Sequence, residues 1–245
     1  LSENYQLAPC IAIQNGFRLS YDANSMDKYY CQHLFCFGER EIADFPRMNY
    51  KVDNFYPVGS LNLSLNFDNQ LTDIKPKYDL LVVSCWRGNI GYAQDVEDSM
   101  KAMRIMDETL ATYLGNRNLK TAVILRSERD SDQWFMPEVG LTEEDYYKSI
   151  YGDLIEIVDV NFAQRNVYPV MQSAEVIIAG FSTTCLIEAY GMRKKILYMN
   201  FCGNNKYHRD FKAEIVFEAH DNKSPSFESR LNALLEISSE EYMIK

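Results

Sequence analysis

The sequence predicts an α/β protein built on a doubly wound parallel sheet, and three observations carry that expectation. Apolar runs and amphipathic stretches alternate, strand then helix, about five times after residue 79. The runs are uninterrupted instead of alternating in polarity, which is the pattern of strands covered on both faces. Glycine or hydroxyl residues follow several runs directly, as expected where a strand turns into a helix. Right-handed crossovers then put helices on both faces and leave ligands to the strand carboxyl ends.

Taken in order, Cys10 to Gln14 reads as a strand followed by an Asn15-Gly16 turn. His33 to Phe37 is a second, ending at Gly38, and Asn54 to Val58 a third, ending at Gly59-Ser60. Residues 66–78 are polar and contain Pro76, which divides the chain into regions 1–66 and 67–245. In the second region Leu80 to Ser84 is a buried-type strand. Gln94 to Leu114 is helical, because Val96, Met100, Met103, Met106, Leu110 and Tyr113 recur at three- and four-residue spacing before Gly115-Asn116. Thr121 to Leu125, Leu154 to Val158, Glu175 to Ala179 and Lys195 to Met199 read as strands. Glu143 to Ile150, Tyr168 to Ser173 and Thr183 to Tyr190 read as the helices between them. Ile215 to Phe217 is a last strand and Phe227 to Ile237 a closing helix.

Composition narrows the class. The 245 residues are 47% apolar, 24% charged and 13% aromatic, enough to bury a core and unlike a disordered or collagen-like chain. A net charge of −10 argues against a phosphate-coating nucleic-acid surface. No run approaches the roughly 20 apolar residues of a membrane span. The opening Leu1-Ser-Glu-Asn4 lacks the basic and apolar regions of a secretory signal. Cys10, Cys31, Cys36, Cys85, Cys185 and Cys202 form no C-x-x-C pair and sit mostly in apolar stretches, so they read as thiols of a reducing compartment. His33, His208 and His220 are too scattered for a metal cluster. The expected location is the cytoplasm, with the inner membrane face as a peripheral variant.

The strongest chemical signal follows the strand of residues 175–179. Gly180 is followed closely by Ser182-Thr183-Thr184, which opens a helix. Those hydroxyls can cap the first amides, and the same amides with the helix dipole can hold an anion that Gly180 lets approach. Glu188, nearly two turns in, could accept both ribose hydroxyls of a nucleotide whose phosphates rest at the helix start. The plainer alternatives are an ordinary N-cap and a solvated glutamate. Arg87, in Ser84-Cys-Trp-Arg-Gly88, and Arg126 end two neighbouring strands and could contact a diphosphate, or simply lie on surface loops. Asp130-Ser131-Asp132 matches a metal-holding D-x-D but lies in a polar run that reads better as a solvated loop. P-loop, G-x-G-x-x-G and G-x-S-x-G patterns are absent.

Residues 174–199 (AEVIIAGFSTTCLIEAYGMRKKILYM) resemble the nucleotide-sugar-binding half of GT-B-fold glycosyltransferases. Ile11 to Arg18 is similar to the "Q-H-G" stretch of bacterial capsule and surface-polysaccharide transferases, although Asn15 stands where the His is usual. Phe35 to Arg40 with Phe55 to Ser60 is similar to their interdomain segment. The resemblance implies a Rossmann-like GT-B C-terminal domain over 67–245, and over 1–66 the end of an acceptor-side α/β domain. It implies that Ser182, Thr183 and Thr184 hold donor phosphate and Glu188 holds ribose, with Arg87, Arg126 and Gly180 beside them. Retaining members carry a Glu where this chain has Gly180, so an inverting, metal-independent transfer is expected, with no cofactor. Inverting relatives place their general base on the first domain, so no catalytic residue is expected in these residues. The implied partners are a CMP-, CDP- or UDP-linked sugar and a glycan or lipid-linked acceptor, with no nucleic acid. A nucleotide-sugar 2-epimerase and a non-catalytic nucleotide-binding module are the alternatives.

Overall fold

Leu80, Leu81, Val82 and Val83 are all buried, and so are Val176, Ile177, Ile178 and Ala179. Side chains on both faces of these strands therefore need cover, and the fold supplies it. The computed structural model describes residues 9–14, 29–48, 50–66, 75–84, 93–125, 141–160, 167–180, 183–199, 201, 217–218 and 226–244. The chain forms two compact units, Leu1–Phe67 and Asp68–Lys245.

The first unit is a three-stranded parallel sheet in the order β1 (Ile11–Ile13), β2 (Tyr29–Cys36), β3 (Tyr50–Pro57). Cys31, Leu34, Cys36 and Phe45 form its core, with Cys10, Ala12, Tyr50, Val52 and Phe55 against them. Helix α1 (Glu39–Asp44) starts where the Gly38 amide donates to Glu41 Oε2 at 2.9 Å, and α2 (Leu61–Asn66) starts where Ser60 Oγ accepts from the Leu63 amide. The other sheet face carries Ile11 and Ile13, 59% and 61% exposed, and Tyr56. The Tyr56 ring stacks on Phe35 and its hydroxyl meets His33 Nδ1 at 3.0 Å. β2 and β3 begin about four residues earlier than their apolar cores suggest, because Tyr29 pairs with Tyr50 and Tyr30 with Lys51. The Asn15-Gly16 turn lies outside the described residues.

The second unit holds a six-stranded, all-parallel sheet. Its strands are β4 (Tyr78–Val83), β5 (Thr121–Ile124), β6 (Glu156–Val158), β7 (Ala174–Ala179), β8 (Lys195–Tyr198) and β9 (Phe217–Glu218). The spatial order is β6-β5-β4-β7-β8-β9. Renumbered from its own first strand this is 3-2-1-4-5-6, the Rossmann order, so the doubly wound parallel sheet is what the chain builds. The helices are α3 (Ala93–Gly115), α4 (Glu143–Tyr151), α5 (Val167–Gln172), α6 (Thr184–Gly191), α7 (Ser226–Glu236) and α8 (Ser239–Ile244).

Met103, Met106, Leu110, Tyr113 and Leu114 form the buried stripe of α3 at helical spacing. Tyr113 meets Phe227 of α7 edge-on, and its hydroxyl donates to Asn232 at 2.6 Å. Asp107 lies on the same stripe, fully buried, and accepts from the hydroxyls of Tyr146 (2.8 Å) and Tyr151 (2.7 Å) on α4. Burial pushes its carboxyl up from 3.8 to about 7, because the two hydroxyl bonds only partly offset desolvation.

Between these values the folded chain holds a proton that the unfolded chain has released, so stability falls as pH rises from about 4 to about 7. Asp107→Asn keeps one acceptor for one tyrosine and offers a donor to the other. In urea titrations the wild type should lose about 1–3 kcal/mol more than this variant between pH 5 and 7.5. Parallel curves for the two proteins would refute the protonated state.

Candidate functional site

Two strands leave the carboxyl edge of the six-stranded sheet in opposite directions. Val83 pairs with Ala179, so Ser84 and Gly180 are adjacent exits. The Ser84 amide donates to Ile124 O at 3.0 Å on one side, and the Met199 amide to Ala179 O at 2.8 Å on the other. β4 crosses through α3 to β5, whereas β7 crosses through α6 to β8. Right-handed crossovers in opposite directions put α3 and α6 on opposite faces, and the gap between their starts is where doubly wound sheets hold ligands.

One lip of the gap is the start of α6. Thr183 is the N-cap, extended at φ −121° and ψ 154°, and its hydroxyl oxygen accepts from the Leu186 amide at 3.1 Å. Thr184 is the first helical residue and is half-buried. The amides of the first turn point out of the helix start, as they do in any helix. Gly180 is buried, and a Cβ there would fall 2.5 Å from Met106 Sδ and 3.3 Å from its methyl. The missing side chain thus admits α3 against the end of β7. Glu188 is no solvated glutamate: it is 5% exposed and accepts from Tyr168 OH of α5 at 3.2 Å.

The other lip carries a pair that the sequence did not reveal. Ser84 and Glu143 are both buried, and the Ser84 hydroxyl donates to Glu143 Oε1. Glu143 opens α4 beside two further acids, Glu144 and Asp145. A run of acids in a first turn reads as dipole compensation, so nothing in the sequence singles out the one that turns inward.

Of the predicted site residues, the structure brings Gly180, Thr183 and Thr184 together at one strand exit and places Glu188 about 6 Å further along the α6 axis. Arg87, Arg126 and Ser182 lie outside the described residues, as does the Asp130-Ser131-Asp132 run. Among the described residues no group of His, Cys, Asp or Glu could hold a metal ion, and no helix is long and apolar enough to cross a membrane. Cys10, Cys31, Cys36 and Cys185 form no disulfide.

No family model and no curated protein matches the chain. Solved structures similar to it include a sucrose-phosphate synthase from Thermosynechococcus elongatus, at 12% identity and TM-score 0.49 over 87% of this chain and 54% of that one. TarM is similar at 9% identity and TM-score 0.46, over 98% of this chain and 50% of its own. The wall teichoic acid polymerase TagF is similar at 10% identity and TM-score 0.46, over 87% and 51%. The chain spans about half the length of these structures. The fold assignment rests on the strand order and parallel register.

Two substitutions test the local reading. Thr183→Ala removes the α6 cap and should cost about 1 kcal/mol in urea unfolding. Gly180→Ala should cost about 1–3 kcal/mol by crowding Met106. Combined with Met106→Ala, the glycine substitution should cost less than it does alone. Strict additivity in that cycle would place the crowding elsewhere.

Proposed function

We propose that the chain is a glycosyltransferase that binds a nucleotide-sugar donor at the gap between β4 and β7. The observation carrying this reading is the pairing of Val83 with Ala179, which sets the Ser84 and Gly180 exits side by side where the sheet changes direction. The resemblance of residues 174–199 to nucleotide-sugar-binding halves supplies the ligand class.

In this reading the donor phosphates rest at the start of α6, against Ser182, Thr183 and Thr184. The helix dipole and hydroxyl donors stabilise charge developing on the departing nucleotide. Thr183 accepts through oxygen as the cap while its hydroxyl hydrogen remains a donor. Arg87 and Arg126 assist electrostatically in place of a metal, Glu188 accepts ribose hydroxyls, and the displacement is inverting. Residues 67–245 form the donor-binding domain, and 1–66 the end of an acceptor-side domain. The acceptor is a surface polysaccharide or another glycan.

Calorimetry with CMP, CDP and UDP, with and without EDTA, tests the proposal. At least one nucleotide should bind, and chelation should leave its affinity unchanged. Replacing Ser182 and Thr183 together by Ala should weaken it by about 1–3 kcal/mol, the value of hydrogen bonds to a charged group. Equal affinity in that variant removes the phosphate site. Binding that needs a divalent cation removes the metal-independent mechanism.

A further inference from the structure

Three cysteines share the core of the first unit. Cys31 and Cys36 are buried in it, and Cys10 packs against them, partly exposed. Position divides them into a pair and a single. The Ile11↔His33 register, continued back by one residue, sets Cys10 beside Gln32. Two bonds hold it there: the His33 amide donates to Cys10 O at 3.1 Å, and the Cys10 amide to Gln32 Oε1 at 2.7 Å. Cys10 is therefore the diagonal neighbour of Cys31. With strands about 4.8 Å apart and a rise of about 3.3 Å per residue, their Cα atoms are roughly 6 Å apart. That lies inside the range of about 4.4–6.8 Å that a disulfide spans. Cys36 is roughly 16 Å further along β2 than Cys31, and its thiol bonds Gly38 O instead at 3.6 Å.

The sulfur atoms meet as well as the strands. Cys31 Sγ donates to His33 O at 2.8 Å and reaches across to Cys10 O at 3.5 Å. Burial pushes the Cys31 thiol up, the His33 carbonyl offsets part of the rise, and the neighbouring Cys10 thiol adds to it. The two thiols thus interact directly, by charge and by hydrogen bond. Their exposure differs, since Cys31 is fully buried and Cys10 is not. A thiol that solvent reaches meets a reagent first, whereas a buried one meets only its neighbour.

We propose that Cys10 and Cys31 are a redox-active dithiol, which a small-molecule disulfide in excess closes into a bridge joining β1 to β2. The Cys10 thiolate attacks one sulfur of the reagent, whose S–S bond breaks and releases one thiolate. Cys31, once deprotonated, attacks Cys10 Sγ in the mixed disulfide and expels the second thiolate. The protons lost by the two cysteines are taken up by the two released thiolates. Two protein thiols are oxidised, and one reagent disulfide is reduced to two thiols. Excess thiol runs the same steps backwards, so the bridge is transient wherever the surroundings keep thiols reduced. This modification belongs to the first unit and does not depend on the donor site proposed for the second.

The test incubates the full chain, folded, with excess oxidised glutathione, blocks the remaining thiols and maps linkages by mass spectrometry. Digestion uses trypsin and then chymotrypsin, which separates Cys31 from Cys36 by cleaving after Phe35. The expected product is a linked pair of peptides carrying Cys10 and Cys31, two hydrogens lighter than the separate peptides and lost on adding dithiothreitol. Cys36→Ala should leave that product unchanged. Cys31→Ala should stop at glutathione on Cys10, and Cys10→Ser should lose the bridge and leave Cys31 unmodified. In urea the wild-type linkages should spread over the other cysteines, because the fold no longer selects the pair. A folded wild type that stops at glutathione on Cys10, or takes up none, overturns the inference. So do linkages as scattered without urea as with it. The wild-type map decides alone should a substituted chain fail to fold.

Discussion

The pairing of β4 with β7 is the constraint on which the rest of the second unit depends. These strands are distant in sequence yet exchange a parallel ladder from Tyr78↔Ala174 to Val83↔Ala179. Both are apolar and buried from Leu80 and Val176 onward, so the ladder forms only if helices cover both faces. Covering both faces requires crossovers that leave the central pair in opposite directions. That divergence makes the gap at the carboxyl edge, and with it the adjacency of Ser84 and Gly180.

The two edges of the sheet carry different polar chemistry. At the amino edge, cations meet carboxylates and carbonyls. Lys195 joins Glu175 to Ile237 O, Lys194 bonds Gln172 O and Ala174 O, and Lys77 pairs with Glu156. Burial lowers the Lys194 amine, but the carbonyls at the end of α5 are natural acceptors for it. At the carboxyl edge, carboxylates meet hydroxyls instead: Glu143 with Ser84, Glu188 with Tyr168. The first kind of contact ties strands and helices together. The second joins the start of α4 to the end of β4 and α6 to α5.

Much of the second unit was legible because fully buried parallel strands write themselves as unbroken apolar runs. The first unit was less so. Its sheet buries one face and exposes Ile11 and Ile13 on the other, so exposed and core positions are both apolar. Helices α1, α2 and α8 have six residues each, less than two turns, and were not expected, whereas α5, equally short, was expected between two apolar strand runs. At the site, Thr183 was legible because a hydroxyl before an apolar helix has few other uses. Glu143 was not, since Glu143, Glu144 and Asp145 are interchangeable on paper and only packing decides which one turns inward. The burial of Glu188 depends on Tyr168, on a separate helix, and no local pattern reports it.

An anion at the start of α6 must overcome the Glu188 carboxylate further along the helix, and magnitudes say what that requires. A phosphate there would lie about 8 Å from the Glu188 carboxylate, where two unit charges repel by about 2 kcal/mol at an effective dielectric of 20. The helix dipole contributes roughly 0.3–2 kcal/mol, so it offsets one carboxylate at best. Bonds from hydroxyls or amides to charged oxygens add about 1.5–3 kcal/mol each. With a chain charge of −10 as well, these terms come close to cancelling. Within the proposed reading, then, the arginines that follow β4 and β5 are a requirement. In that reading Arg87 and Arg126 would supply the positive charge that the phosphate needs.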